Sequence, residues 1–214
     1  MPRAALVVTV LMVVLAYAGA ANAVDPATLA RSGGAGVAAC SSCHGDKGQG
    51  QGNFPRLAAQ HSAYLARQLE DFASGRRDNP IMSPIAKALS APDRAAMANY
   101  YGALPAPAPL AAAPAPATAP GGWLATRGAW SKGVPGCVQC HGPGGRGVGA
   151  AFPSIAGQPA GYIAAQLTAF ASGARRNDPQ ALMRTPAAKL SQSEIDSVSQ
   201  WLSTQPAAAA GASR

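Results

Sequence analysis

The string Cys40-Ser-Ser-Cys43-His44-Gly45 returns in the second half of the chain as Cys137-Val-Gln-Cys140-His141-Gly142. Together the two copies use every cysteine and two of the three histidines. This constrains the fold twice: each half must build the same short turn, and both halves must share one scaffold. Other blocks recur in the same order, the mark of an internal duplication. Phe54-Pro-Arg-Leu-Ala-Ala-Gln60 matches Phe152-Pro-Ser-Ile-Ala-Gly-Gln158, Tyr64–Gly75 matches Tyr162–Gly173, and Met82–Ser90 matches Met183–Ser191. The run Arg76-Arg77-Asp78-Asn79-Pro80 is echoed by Arg175-Arg176-Asn177-Asp178-Pro179.

Between the copies lies a stretch of alanine and proline, 105–120, without a charge. Proline blocks a continuous helix or strand, so this segment reads as an extended, exposed linker. It separates a unit at 24–104 from one at 121–214. Within each unit the signals are helical. Asp25-Pro26 reads as a cap with proline in the first turn. Ser62 is placed to cap a helix whose Tyr64, Leu65, Leu69 and Phe72 share a face and which stops at Gly75; its counterpart runs from Pro159 to Gly173. Ser90 to Asp93 and Ser191 to Glu194 have capping-box spacing. The last helices carry Met97, Tyr100 and Leu104, or Ile195, Val198 and Leu202, on one face. No segment alternates with period two. The expected fold class is all-α, with two tandem small domains.

The first residues carry Arg3, an apolar stretch from Leu6 to Ala18, and Ala21-Asn22-Ala23. That is the pattern of a cleaved secretory signal peptide, 1–23; the apolar run is shorter than the ~20 residues a spanning helix needs. The mature chain is expected in a bacterial periplasm. The net charge of +8 is spread along the chain. Export argues against nucleic acid; a basic exported surface suits acidic protein partners or peripheral membrane association. Side-chain charge is uneven: 24–104 has eight Lys/Arg against six Asp/Glu, while 121–214 has eight against three.

Three chemistries compete for the cysteines. Zinc wants its two ligand pairs roughly 12–20 residues apart, whereas these lie on opposite sides of the linker. A thioredoxin-like dithiol needs no histidine after it and expects a strand-helix context. A covalent haem c uses all three residues: both thiols bind the macrocycle, and the adjacent histidine lies under the iron. Two aligned copies point to two covalently bound haem c groups, held by Cys40 and Cys43 and by Cys137 and Cys140, with His44 and His141 as iron ligands. Haem also supplies apolar bulk to halves whose aromatic content is only 6%. For the opposite side of the iron, His61 has no counterpart, since Pro159 stands there, and it reads as an ordinary histidine near a helix start. Met97 is a core position matched by Val198. Met82 and Met183 align, each in a proline-bracketed loop, and are the expected second ligands.

On these motifs the chain resembles the dihaem class I cytochromes c of the cytochrome c4 type, over nearly the whole mature chain except the linker. The resemblance implies paired cytochrome c domains with their haem edges facing. It also implies that the backbone carbonyls of Pro55 and Pro153 accept from the proximal histidines. A histidine/methionine-bound haem has no open iron position and suits electron transfer, methionine raising the potential relative to a second histidine. The expected function is therefore an electron carrier and not an enzyme, passing electrons between a respiratory donor and a terminal oxidase or reductase. The alternative is the dihaem subunit of a dehydrogenase, of the flavocytochrome sulfide dehydrogenase or thiosulfate-oxidising kind; a dihaem peroxidase, the less favoured alternative, would need a vacant iron and acid-base groups that this sequence does not offer.

Overall fold

Asp25 begins the first described helix by accepting the backbone N–H of Thr28 at 2.9 Å, with Pro26 just inside, where its missing N–H costs nothing. The computed structural model describes residues 25–34, 36–108 and 113–207; the expected signal peptide lies outside them. In the first half the helices are α1 (Pro26–Ser32), α2 (Ser41–His44), α3 (Ser62–Ser74), α4 (Met82–Ala88) and α5 (Ala91–Ala103). The second half repeats them as α6 (Pro120–Arg127), α7 (Cys137–His141), α8 (Ala160–Ala171), α9 (Arg184–Ala187) and α10 (Gln192–Thr204), with three short 3₁₀ turns between. Among the described residues extended pairing is limited to isolated bridges. The all-α duplication expected from the sequence is what the chain forms.

Each half closes around its own core. Leu29, Leu65, Leu89, Met97 and Tyr101 are buried together in the first, and Leu124, Ile163, Val198, Trp201 and Leu202 in the second. Met97 and Val198 hold equivalent core places, as their spacing predicts. The last helix of each half is the hub: α5 packs on α1 and α3, and α10 on α6 and α8. Its backbone also fixes the loop that follows the histidine motif. Tyr101 O accepts from Ala59 N at 3.2 Å, and Leu202 O from Gly157 N at 2.9 Å.

The structure corrects four local expectations. His61, not Ser62, is the N-cap of α3: its Nδ1 accepts from Ala63 N at 3.2 Å, and Ser62 is the first helical residue. Met82 is not in a loop but opens the short helix α4, while Met183 is the turn residue that caps α9; proline-rich sequence concealed both helices. Proline is tolerated there because it falls in the first turn. The double arginines are out of register by one. Arg77 corresponds to Arg175, since each donates its backbone N–H six residues back, to Asp71 O and Ala169 O, and each stacks 4.5 Å from Phe72 or Phe170. Finally, the linker is not extended and free throughout. Ala115 N donates to Thr204 Oγ1 at 3.1 Å, and Trp201 Nε1 donates to both Ala115 O and Pro116 O at 3.0 Å. Its second part therefore belongs to the second domain.

Candidate functional site

The two C-x-x-C-H strings each make one helical turn, α2 and α7, and the chain then reverses at Gly45 and Gly142, both left-handed in φ (80° and 76°). This turn brings the histidine against the Phe-Pro segment downstream. His44 Nδ1 lies 2.8 Å from Pro55 O, and His141 Nδ1 lies 2.8 Å from Pro153 O. A carbonyl can only accept, so Nδ1 carries the proton in both rings and Nε2 keeps its lone pair. Phe54 and Phe152 pack edge-on to the imidazoles, centroids 6.2 Å apart in each half. Burial lowers the pKa of both histidines, although the carbonyl partly offsets it, which favours the neutral ring that binds metals. The decisive atom is His141 Nε2, which is buried and has no hydrogen-bond partner. A buried lone pair without a donor is costly; ligation resolves that cost.

Glycine at 50 and 147 lets this arrangement close. Gly50 N donates to His44 O and Gly147 N to His141 O, both with positive φ. A Cβ at either would collide with the backbone of Arg56 or Ser154 respectively, the residues that follow the accepting prolines. The four cysteine thiols are free, and neither C-x-x-C pair is closed into a disulfide. Among the described residues no three His, Cys, Asp or Glu side chains gather into a metal cluster. Met82 and Met183 are both half-buried. Their backbones are fixed by side chains the sequence reading passed over: Asn79 Oδ1 accepts from Met82 N at 2.9 Å, and Asp178 Oδ2 from Met183 N at 3.0 Å. The signal was legible in principle, because Asn and Asp cap helix starts.

The thiols and the lone pair of His141 Nε2 fit a haem bound through two thioethers with one imidazole beneath the iron. The cytochrome c family matches the chain over residues 32–104 and 131–206, one match per half. The chain belongs to the cytochrome c family. Among its relatives, cytochrome c4 of Pseudomonas aeruginosa is 36% identical over 90% of this chain and 94% of that one. The thiosulfate dehydrogenase electron acceptors of Thiomonas intermedia and Stutzerimonas stutzeri are each 46% identical, covering 79% and 85% of this chain and 80% and 86% of their own. Of solved structures, reduced cytochrome c4 from Pseudomonas stutzeri superposes with a TM-score of 0.70 at 35% identity, covering 78% of this chain and 93% of that one. Thiosulfate dehydrogenase from Marichromatium purpuratum superposes at 0.78 with 43% identity; the match covers 87% of this chain but 41% of that one. The protein is thus a dihaem cytochrome of the c4 type, an electron-transfer protein with two covalently bound haem c groups.

The two domains of this cytochrome meet along a polar seam that the repeats alone did not announce. At one end Arg77 donates to Gln68 Oε1 (2.8 Å) and, across the boundary, to Gln166 Oε1 (2.7 Å) and Tyr162 Oη (3.2 Å). Arg175 mirrors it, donating to Gln166 Oε1 (2.8 Å), Gln68 Oε1 (2.9 Å) and Tyr64 Oη (3.4 Å). Burial alone would raise the phenol pKa of Tyr162, but the flanking guanidiniums of Arg77 and Arg175 hold it below the ordinary value. Asn177 adds a bond to Asp71 Oδ2 at 2.7 Å. At the other end the segments 54–60 and 152–158, which carry the carbonyls facing the histidines, lie against each other. Arg56 is 1% exposed there and donates to Ser154 Oγ (2.9 Å) and Ala156 O (3.1 Å) of the second domain, as well as to Ala58 O of its own. Burial pulls its pKa down to about 10, so it stays a cation at neutral pH.

Proposed function

We propose that Cys40 and Cys43 attach one haem and Cys137 and Cys140 the other, with His44 and Met82, and His141 and Met183, as the axial iron ligands. The observation that carries this is the pair of buried imidazoles whose Nδ1–H is committed to a proline carbonyl, leaving Nε2 as the donor atom. A haem bound this way supplies reversible one-electron chemistry. The chain's part is to hold imidazole and thioether in place, exclude water, and surround the seam with Arg77 and Arg175, whose charges suit haem carboxylates. With both axial places filled by protein, the molecule acts as a carrier and not as a catalyst. It is exported to the periplasm by its first 23 residues; among the described residues no helix is long and apolar enough to cross a membrane.

The donor is a dehydrogenase acting on a sulfur oxyanion of the thiosulfate class. Two relatives named as thiosulfate dehydrogenase electron acceptors, at 46% identity, support this over a general c4-type carrier feeding a terminal oxidase, for which the relative quoted stands at 36%. The second domain is the docking side. It holds the greater positive charge, and it alone exposes Trp123 (52%) and Trp130 (65%), with Arg127 stacked 4.5 Å over Trp123 where the first domain has Thr28. The test is stopped-flow reduction of the ferric holoprotein by a purified thiosulfate dehydrogenase with thiosulfate. Reduction of both haems at a rate that falls with added salt, and falls further in Arg127→Glu, is expected; no reduction, with normal reduction by dithionite, would assign the protein another donor.

A further inference from the structure

Two buried glutamines cross the seam, and each ends on the peptide that serves the other domain's histidine. The carbonyl of Pro55, which faces His44 Nδ1, belongs to the same peptide group as the N–H of Arg56. That N–H donates to Gln158 Oε1 of the second domain at 2.9 Å, and Gln158 Nε2 donates back to Arg56 O at 3.0 Å. The carbonyl of Pro153, facing His141 Nδ1, shares its peptide with the N–H of Ser154. That N–H donates to Gln60 Oε1 of the first domain at 3.1 Å, and Gln60 Nε2 donates to Ser154 O at 2.6 Å. Both glutamines are only 4% exposed, so no solvent competes for these bonds. The same position in the repeat makes both, which is why the exchange is reciprocal.

We infer that each domain sets the proximal ligand strength of the other through these glutamines, which makes Gln60 and Gln158 positioning residues for the opposite haem. A peptide is one conjugated unit: an acceptor on its N–H raises the negative charge on its own oxygen, and hydrogen bonds in such chains strengthen one another. A stronger acceptor at Nδ1–H makes the imidazole more basic at Nε2. A more basic ligand favours the ferric state and lowers the potential of its haem, since bonding behind the ligand is one of the levers a protein has on the iron. The path from the first domain therefore runs Gln60, peptide 153–154, His141; the path from the second runs Gln158, peptide 55–56, His44. Docking of the domains and the two potentials are then one linked property. Arg56 breaks the symmetry: Ser154 stands in its place in the second domain, so the buried cation comes from one side only.

The inference rests on His44 and His141 being the iron ligands, and the experiment checks that first. In the full-length holoprotein, the hyperfine-shifted Nδ1–H signals of two ligated imidazoles are assigned to His44 and His141. Reduction potentials of both haems are then measured in Gln60→Met and Gln158→Met. Gln158→Met should raise the midpoint and shift the His44 Nδ1–H signal of the first haem while leaving the second in place; Gln60→Met should do the reverse. Gln158→Glu, which keeps the acceptor for Arg56 N–H, should not raise the first midpoint. Absence of ligated-imidazole signals for these histidines overturns the ligand assignment and the relay with it. Signals present, with both haems moving together or each variant moving only its own domain's haem, would leave the glutamines as mere interface seals and overturn the relay alone.

Discussion

At the scale of single residues, the backbone of each proposed methionine ligand is held by an acceptor set just ahead of it. Met183→Ala is expected to remove half of the long-wavelength ferric absorption of methionine-bound haem, and Met82→Ala the other half, in the visible spectrum of the oxidised protein. Asp178 holds the second of these segments, taking the N–H groups of Met183 and Arg184 at 3.0 and 2.9 Å and the Arg184 guanidinium at 2.8 Å. Burial pushes its carboxyl up, but these donors outweigh that and hold it below the usual carboxylate value. Its folded pKa is depressed, so its stabilising contribution is full above the unfolded value of about 3.9 and fades as the pH falls below it. Asp178→Ala leaves two backbone donors without an acceptor and should cost about 1–3 kcal/mol. In thermal titrations its methionine band should disappear at a lower temperature than that of the unchanged first haem.

At the scale of elements, α10 carries the second domain, and its start is doubly fixed. Ser191 Oγ accepts from Glu194 N, and Glu194 Oε2 accepts from Ser191 N at 2.7 Å, a complete capping box. Lys132, at the end of the 3₁₀ turn Trp130–Lys132, closes on the same carboxylate at 2.6 Å. Led by that Lys132 bond, the Glu194 pKa falls to about 2. The stabilisation is present above the unfolded pKa near 4.3 and is lost as the pH falls toward 2, so acid unfolding of the second domain should begin later than in Glu194→Gln, as followed by circular dichroism. In α5 the equivalent Ser90 caps Asp93 N at 3.2 Å without the return bond from side chain to backbone. Ser191→Ala should cost about 1 kcal/mol, and Ser90→Ala no more than that. The caps were legible because they are local: serine, spacing and acid are enough. The short helices α4 and α9 were not, since proline and the absence of an apolar repeat hide the one or two turns whose starts Asn79 and Asp178 fix.

At the scale of the whole molecule, linker and seam decide how two units become one. Trp201 anchors Ala115 and Pro116, so limited proteolysis with an alanine-directed protease should cut between Leu104 and Pro114 and spare 115–120. Trp201→Phe should extend the cuts toward Pro120; cleavage inside a haem domain appearing first would contradict this arrangement. The sequence by itself determined the duplication, the helical class, the haem-binding motifs and the likeness of Met82 to Met183. Each of these is written in short-range spacing or in the comparison of one half with the other. It misplaced the arginine register by one residue, because an identical pair is a stronger pattern than the single Phe72–Arg77 or Phe170–Arg175 stack that fixes the true correspondence. Only the tertiary structure decided that Gln60 and Gln158 cross over, that Arg56 is sealed at the boundary, and that the end of the linker, from Ala115, packs on the second domain. Those outcomes depend on contacts about a hundred residues apart along the chain, where a buried amide must find a partner and the folded surface facing it supplies the choice.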